Sequence, residues 1–301
     1  MKIANFIFQL KIKIHYILVV IQNIFIFILN IFFNYRDIKK NINSSEKYIK
    51  FLNNSNTFKQ DEIKYYSDTV KKTLNNKKSF TNYNNFIKHL LSLKERFQPN
   101  TIIEIGTGYG ETTILFRHLF PKTLIYTIEP PVNYKSSNYK NKHENEMKIY
   151  YDDLNYIFKN NNINFLRTIS KELLNDKTFL NNIKGPNIMI LIDGCHDYPD
   201  IQFDINLILE LINKFEKKEN TNFHLIFDDY KIPSFSKLAS KVTYLPYSWS
   251  HIEDGVFKAV KYLKENKKIS NEKIFFRNNK LNINSYANFL VCDYFTNNEI
   301  K

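Results

Sequence analysis

Glycine and proline are scarce in this chain, 6 and 8 among 301 residues, which excludes a linker-rich or fibrous protein. Cysteine is scarcer still. The 2 cysteines, Cys195 and Cys292, form no C-x-x-C pair, which argues against a zinc centre or a disulfide framework. Internal repeats are absent, and so is any recognisable RNA- or DNA-binding module. Acidic residues are outnumbered, 30 against 43 Lys plus Arg, for a formal net charge of +13. Such a charge fits a nucleic acid or an anionic membrane surface as partner. It equally fits a composition skewed toward Lys, Asn and Ile, of the kind an AT-rich genome encodes. The lysines are scattered along the chain, which favours the second explanation, and no nucleic-acid partner is expected. The length suffices for one large α/β domain with a sizeable core, plus an appendage.

Charge is missing altogether from "YILVVIQNIFIFILNIFF", Tyr16 to Phe33, whose length is near the lower limit for crossing a bilayer as a helix. The amides of Gln22, Asn23 and Asn30 weaken that reading. Lys2, Lys11 and Lys13 precede the run and Arg36, Lys39 and Lys40 follow it, so basic residues on both sides leave the orientation undecided. No small-residue cleavage site follows, which favours an uncleaved anchor over a signal peptide; a buried or interfacial helix is the alternative. Residues 1–36 are therefore expected to be a hydrophobic membrane-anchor helix, and residues 37–80 a polar tether with some helix, as around Asp61 to Leu74. From residue 81 to 301 a globular domain is expected. It opens with "NYNNFIKHLLSLKERF", whose Tyr83, Phe86, Ile87, Leu90, Leu91 and Phe97 share one helical face. Pro99 and Asn100 stop that helix.

Beyond Pro99, short apolar runs alternate with helical stretches. "TIIEIG", "TLIYTIEP", "INFLRTIS", "NIMILIDG" and "FHLIFDDY" read as strands one to five, and "EKIFFRN" and "YANFLVCDY" as two more. "ETTILFRHLF", "KELLNDKTFLNNI", "YPDIQFDINLILELINKF" and "GVFKAVKYLKEN" read as helices. The alternation predicts βαβ units and a parallel sheet covered on both faces, with the last two strands as an antiparallel hairpin at one edge. In such a sheet ligands bind beyond the carboxyl ends of the strands, near the point where strand order reverses. Those ends carry Gly106-Thr107-Gly108-Tyr109-Gly110, then Glu129, then Asp193-Gly194-Cys195-His196, then Asp228-Asp229. Carboxylates gathered on one rim cost stability unless a cation or cationic ligand neutralises them, so the rim is the candidate site.

The spacing of the glycine loop discriminates between cofactors. A dinucleotide fingerprint is G-x-G-x-x-G; here it is G-x-G-x-G, followed by Glu111. An acid at the start of a helix complements the helix dipole but repels the phosphate that such a position otherwise attracts. S-adenosylmethionine has no phosphate and carries a sulfonium and an ammonium, which suit acidic surroundings. Glu104 is placed to help hold the ammonium, directly or through water, and Glu129 to accept hydrogen bonds from both ribose hydroxyls. A tight turn without a ligand is the competing reading of the loop.

"EIGTGYGETT" resembles the first motif of class I S-adenosylmethionine-dependent methyltransferases. "LIDGCHDYPDIQFDI" followed by "LIFDDY" is similar to the branch with an Asp-Gly-x-His-x-Tyr signature after strand four and an Asp-Asp after strand five. That branch includes metal-dependent O-methyltransferases of macrolide sugars and related natural products. The resemblance covers about Tyr83 to Tyr294. It implies an α/β, Rossmann-like, doubly wound seven-stranded sheet, mostly parallel with an antiparallel C-terminal hairpin. It implies Glu104, Gly106, Thr107, Gly108, Tyr109, Gly110, Glu129 and Asp193 as cofactor-binding residues, with Ser170 near the adenine. It further implies Asp193, Asp228 and Asp229 as ligands of Mg²⁺ or another divalent cation, and His196 as general base toward a hydroxylated small-molecule or glycan acceptor. Three carboxylates are hard oxygen ligands that suit such an ion, and a metal-bound hydroxyl has a lowered pKa. His196 on the same loop can take the proton. Two departures stand out: glycine is scarce after strand four, and "NKFEKKENTNF" lacks the Pro-Gly-Gly turn of many relatives. The segment "IPSFSKLASKVTYLPYSWSHIEDGVFKAV", with Trp249, lies where a substrate lid would, and its aromatics can stack on a ring or simply pack.

Three functions remain open on this reading. They are a membrane-tethered, metal-dependent O-methyltransferase, a nicotinamide-dependent oxidoreductase, and a non-catalytic binding protein on the same fold. The loop spacing and Glu111 argue against the second, and the intact carboxylate set argues against the third. The domain is expected on the cytosolic side, where S-adenosylmethionine is made.

Overall fold

Each apolar run read as a strand forms one, because backbone groups in a segment buried on both faces are satisfied only by neighbouring strands. The computed structural model describes residues 43–54, 60–74, 84–131, 144–194, 198–216, 220–230, 250–267, 269–276 and 288–296, and Ile21. In chain order the strands are β1 Thr101–Ile105, β2 Leu124–Glu129, β3 Ile163–Arg167, β4 Asn187–Ile192, β5 Asn222–Phe227, β6 Ser270–Phe276 and β7 Asn288–Phe295. The helices are α1 (residues 43–54), α2 Gln60–Thr73, α3 Asn84–Arg96, α4 Glu111–Leu119, α5 Glu144–Asn160, α6 Ser170–Leu173, α7 Lys177–Asn182, α8 Tyr198–Glu216 and α9 Ser250–Asn266. Apart from Ile21, the run Tyr16 to Phe33 lies outside the described residues. Among those described, no helix is long and apolar enough to cross a membrane.

The strands form a seven-stranded sheet in the order β3-β2-β1-β4-β5-β7-β6. The first five are parallel to one another. β7 runs antiparallel between β5 and β6, which places the expected hairpin at one edge. Strand order reverses between β1 and β4, so the crevice at the carboxyl ends of these two strands is the topological switch point.

Alternation along the strands divides the core in two. Ile102, Ile125, Met189, Leu191, Ile226 and Val291 face one layer, which holds Leu52 of α1, Val70 of α2, Leu90 of α3, Phe116 of α4 and Phe158 of α5. Ile103, Ile105, Ile128, Ile190, Leu225 and Cys292 face the other, built from α6 to α9. The fold is thus an α/β doubly wound sheet with helices on both faces. Two elements are more than the sequence pattern suggested. α5 fills the polar stretch between β2 and β3, and its Tyr151, Leu154 and Phe158 are buried. α1 lies in the stretch read as a polar tether, and its Tyr48 and Leu52 belong to the first core layer.

A buried polar chain ties α1 to the sheet. The Tyr48 hydroxyl is 2.7 Å from His89 Nδ1, His89 Nε2 is 3.0 Å from His224 Nε2, and His224 Nδ1 is 2.5 Å from Asp293 Oδ1. Asn271 donates to the other oxygen of Asp293 at 2.9 Å. Burial raises the Asp293 carboxyl, but the hydrogen bonds from His224 and Asn271 and the charge of Arg96 hold it below its ordinary value. Burial, reinforced by His224, Arg96 and Lys273, drives His89 well below the usual histidine range, so His89 is neutral. With His224 neutral, hydrogen bonds run from Tyr48 through both rings to Asp293; with His224 protonated they reverse between Tyr48 and His224. In either state each ring nitrogen has a partner.

Candidate functional site

The glycine loop leaves β1 at the switch point and is shaped by close approach on one side and open space on the other. A Cβ on Gly106 would lie 2.1 Å from the Asp193 carbonyl oxygen, whereas a Cβ on Gly108 would meet none of the described residues within 4 Å. Both residues are left-handed, at φ 95° and 50°. Gly106 is therefore required by the neighbouring backbone after β4, while packing gives no reason for the bare backbone at Gly108. Gly110, also left-handed, caps α4, and Glu111 opens it.

The sheet ladder carries the rim together. The Gly106 N–H donates to the Ile128 carbonyl, Asp193 to Ile105 and Asp228 to Ile192, at 2.9, 2.8 and 2.9 Å. Residues leaving β1, β4 and β5 are thus held side by side.

Glu129, at the end of β2, turns back onto the loop. Its Oε2 accepts from the Thr107 N–H at 2.8 Å and the Gly108 N–H at 3.1 Å. Its Oε1 accepts from the Tyr151 hydroxyl at 2.8 Å. The two backbone donors that a pyrophosphate would use are therefore already paired with a carboxylate. Burial raises the Glu129 pKa despite these donors and the nearby Arg167 charge.

Glu104 lies deeper, 1% exposed, beneath the loop rather than on its surface. Its Oε2 accepts from the Thr127 hydroxyl at 2.6 Å and from that of Thr113. Burial pushes its carboxyl up to about 8, the threonine donors oppose this, and the charges of Asp193 and Glu129 add to it. Thr107 joins the cluster through its hydroxyl, 2.6 Å from that of Thr127. Tyr109 is partly exposed at 42%, with its ring edge-on to Tyr150, centroids 5.4 Å apart. Ser170 opens α6 and donates to Asp204 Oδ1 at 2.6 Å, both residues being buried.

On the acidic side of the rim, Asp228 is 1% exposed and its Oδ1 accepts the Asp229 N–H at 2.8 Å. Asp229 is itself left-handed, at φ 50°. Among the described residues, no three His, Cys, Asp or Glu side chains are grouped so that they could hold a metal ion. Asp193, Asp228 and Asp229 share a rim without making such a group. His196 and Cys195 lie outside the described residues, as does Trp249.

Three side chains at the site are not among the site residues expected from the sequence, in which Asp204 reads as structural on the helix after strand four. Tyr151 comes from the unanticipated α5, whose Tyr151, Leu154 and Phe158 spacing was the available signal. Arg167 ends β3, in register with Glu129, and its guanidinium lies over the Tyr151 ring at 3.7 Å. Asp204 meets Ser170 and comes close to Gly194, where a Cβ would lie 3.6 Å from its Oδ2.

No family model matches the sequence, and no match is found among curated proteins. Solved structures similar to the chain include an O-methyltransferase from Bacillus cereus in complex with SAH, at 13% identity and a TM-score of 0.48 over 82% of this chain and 97% of that one. Another is an O-methyltransferase from Streptomyces achromogenes involved in tomaymycin synthesis, in complex with SAM, at 13% identity and a TM-score of 0.47 over 85% and 99%. A SAH-bound methyltransferase from Podospora anserina is similar at 10% identity and a TM-score of 0.44 over 84% and 95%.

Proposed function

We propose that this chain is an S-adenosylmethionine-dependent methyltransferase acting on a hydroxyl oxygen of a small molecule or sugar. One observation carries the reading: the loop N–H groups of Thr107 and Gly108 are held by Glu129. A cofactor with a pyrophosphate would find those donors occupied by Glu129, with a second acid, Glu111, at the start of the following helix. A phosphate-free adenosyl cofactor with positive charge meets what the rim offers. Bare backbone at Gly108 allows close approach, and carboxylates lie at and beneath the loop.

S-adenosylmethionine, when bound, supplies a methyl group on a sulfonium. The residues of this chain bind and orient it. Glu129 would accept a ribose hydroxyl, and the Gly106 to Gly110 loop would hold the methionyl moiety. Glu104 adds negative potential from below once its proton is lost. Catalysis then rests mainly on holding the acceptor oxygen in line with the methyl group, and His196 is the proposed acceptor of its proton.

The finer proposal of metal assistance has hard donors in its favour. Among the described residues the carboxylates are not grouped so that three of them could hold an ion. No step is derived through a metal. Residues 1–36 are proposed to hold the domain at a membrane, on the cytosolic side.

The reaction is tested by incubating the chain with methyl-labelled S-adenosylmethionine and a panel of phenols, glycosides and hydroxylated natural products, with Mg²⁺ and with chelator. Transfer of label to an oxygen is the expected result. Cofactor binding with no transfer across the panel would contradict O-methylation.

A further inference from the structure

We propose that Tyr151 supplies the second acceptor for the cofactor's ribose diol, beside Glu129, and makes the site selective for a ribose with both hydroxyls free. The proposal rests on the ribose-bearing cofactor proposed above and deepens that reading.

It follows from counting acceptors. An ionised carboxylate offers about four lone-pair positions. On Glu129, the N–H groups of Thr107 and Gly108 fill those of Oε2, and the Tyr151 hydroxyl fills one on Oε1. One position remains on Oε1. A vicinal diol brings two hydroxyl hydrogens and needs two acceptors. The Tyr151 oxygen gives its own hydrogen to Glu129 and keeps lone pairs of its own. It stands 2.8 Å from Oε1, so neighbouring hydroxyls on one ring can reach both atoms.

Tyr151 is held for this role. The Arg167 guanidinium lies over its ring at 3.7 Å, and Phe165 packs beside it with centroids 6.2 Å apart. Leu154 and Phe158 anchor the same helix in the core. Arg167 is in register with Glu129 on the adjacent strand. Among the described residues its Nη1 is buried without a hydrogen-bond partner, so this corner retains a donor that those residues do not use. A closed structural cluster would be expected to satisfy it.

The test is calorimetric binding of S-adenosylhomocysteine and its 2′-deoxy and 3′-deoxy counterparts to the full chain. It is run on wild type, Tyr151→Phe and Arg167→Met, with thermal melting of each. Wild type is expected to bind each deoxy ligand about tenfold more weakly than the parent. Tyr151→Phe keeps the ring under Arg167. The Oε1 position that this releases points at the vacated hydroxyl site rather than at the diol, so the variant is expected to bind the parent about tenfold more weakly, to lose discrimination against one deoxy ligand and to retain it against the other. Arg167→Met, which frees the ring, is expected to show the same pattern. Discrimination against both deoxy ligands that survives in Tyr151→Phe overturns the role of Tyr151 while leaving the cofactor reading intact. Absence of S-adenosylhomocysteine binding to wild type overturns the cofactor reading itself, and this proposal with it.

Discussion

Two regions of this molecule bury ionisable groups, and they differ in how those groups are partnered. In the chain from Tyr48 through His89 and His224 to Asp293, each polar atom meets another within 3.0 Å, and aromatic rings of Phe97 and Phe275 close around the histidines. At the rim of β1 and β2, Glu104 is buried and Glu129 half-buried, but they lie under a left-handed glycine whose Cβ position meets no described residue, and beside an Arg167 nitrogen with no partner among the described residues. Perturbed ionisable groups are common to both, so perturbation alone does not mark a site. What separates them is whether the chain itself completes the hydrogen bonding. The first region is closed and structural. The second is left open on one side.

The glycines give the largest test of that contrast. Gly106→Ala pushes a methyl group into the Asp193 carbonyl and is expected to cost more than about 4 kcal/mol of stability, measured by denaturant unfolding. Gly108→Ala meets none of the described residues, so its cost is limited to left-handed strain of about 1–2 kcal/mol, while binding of S-adenosylhomocysteine falls at least about tenfold. Equal stability losses in the two variants would erase the distinction between the packed and the open side of the loop.

In the closed region, His89→Ala removes the middle of the chain and leaves Tyr48 and His224 each short of a buried partner. A loss of about 3 kcal/mol is expected, with cofactor affinity unchanged within about twofold. A parallel fall in affinity would show that the two regions are not independent.

A smaller effect is expected from pH. The Glu104 carboxyl is raised from 4.5 to about 8 in the folded chain. The stability it contributes is fully present below its unfolded value and is lost as pH rises through about 8. Glu104→Gln, which stays neutral beside Thr113 and Thr127, is expected to flatten the fall in unfolding free energy between pH 5 and 8, a fall on the order of a few kcal/mol, measured by denaturant unfolding across that range. An unchanged pH profile would place the charge elsewhere.

How far the sequence revealed each region follows from the same physics. The strands of the sheet were legible because segments buried on both faces are apolar throughout. The glycine loop and Glu129 were legible as residue types at strand ends. Their contact was not, because it depends on the register of β1 against β2 and on the turn of the loop. α5 was obscured by the Asn, Lys and Tyr that dominate its composition, although Tyr151, Leu154 and Phe158 follow a helical repeat. The histidine chain could not be read at all. Its bonds join residues 41, 135 and 69 positions apart, and no local pattern encodes such meetings. The same limit hid Ser170's partner, since Asp204 reaches it from a helix 34 positions away.

The central claim is that Glu129, by holding the loop N–H groups, reserves this site for a phosphate-free adenosyl cofactor. It is tested most directly by calorimetric titration of the full chain with S-adenosylhomocysteine and, separately, with NAD. The account predicts saturable binding of S-adenosylhomocysteine and no binding of NAD. Saturable binding of NAD, with no heat from S-adenosylhomocysteine, would contradict it.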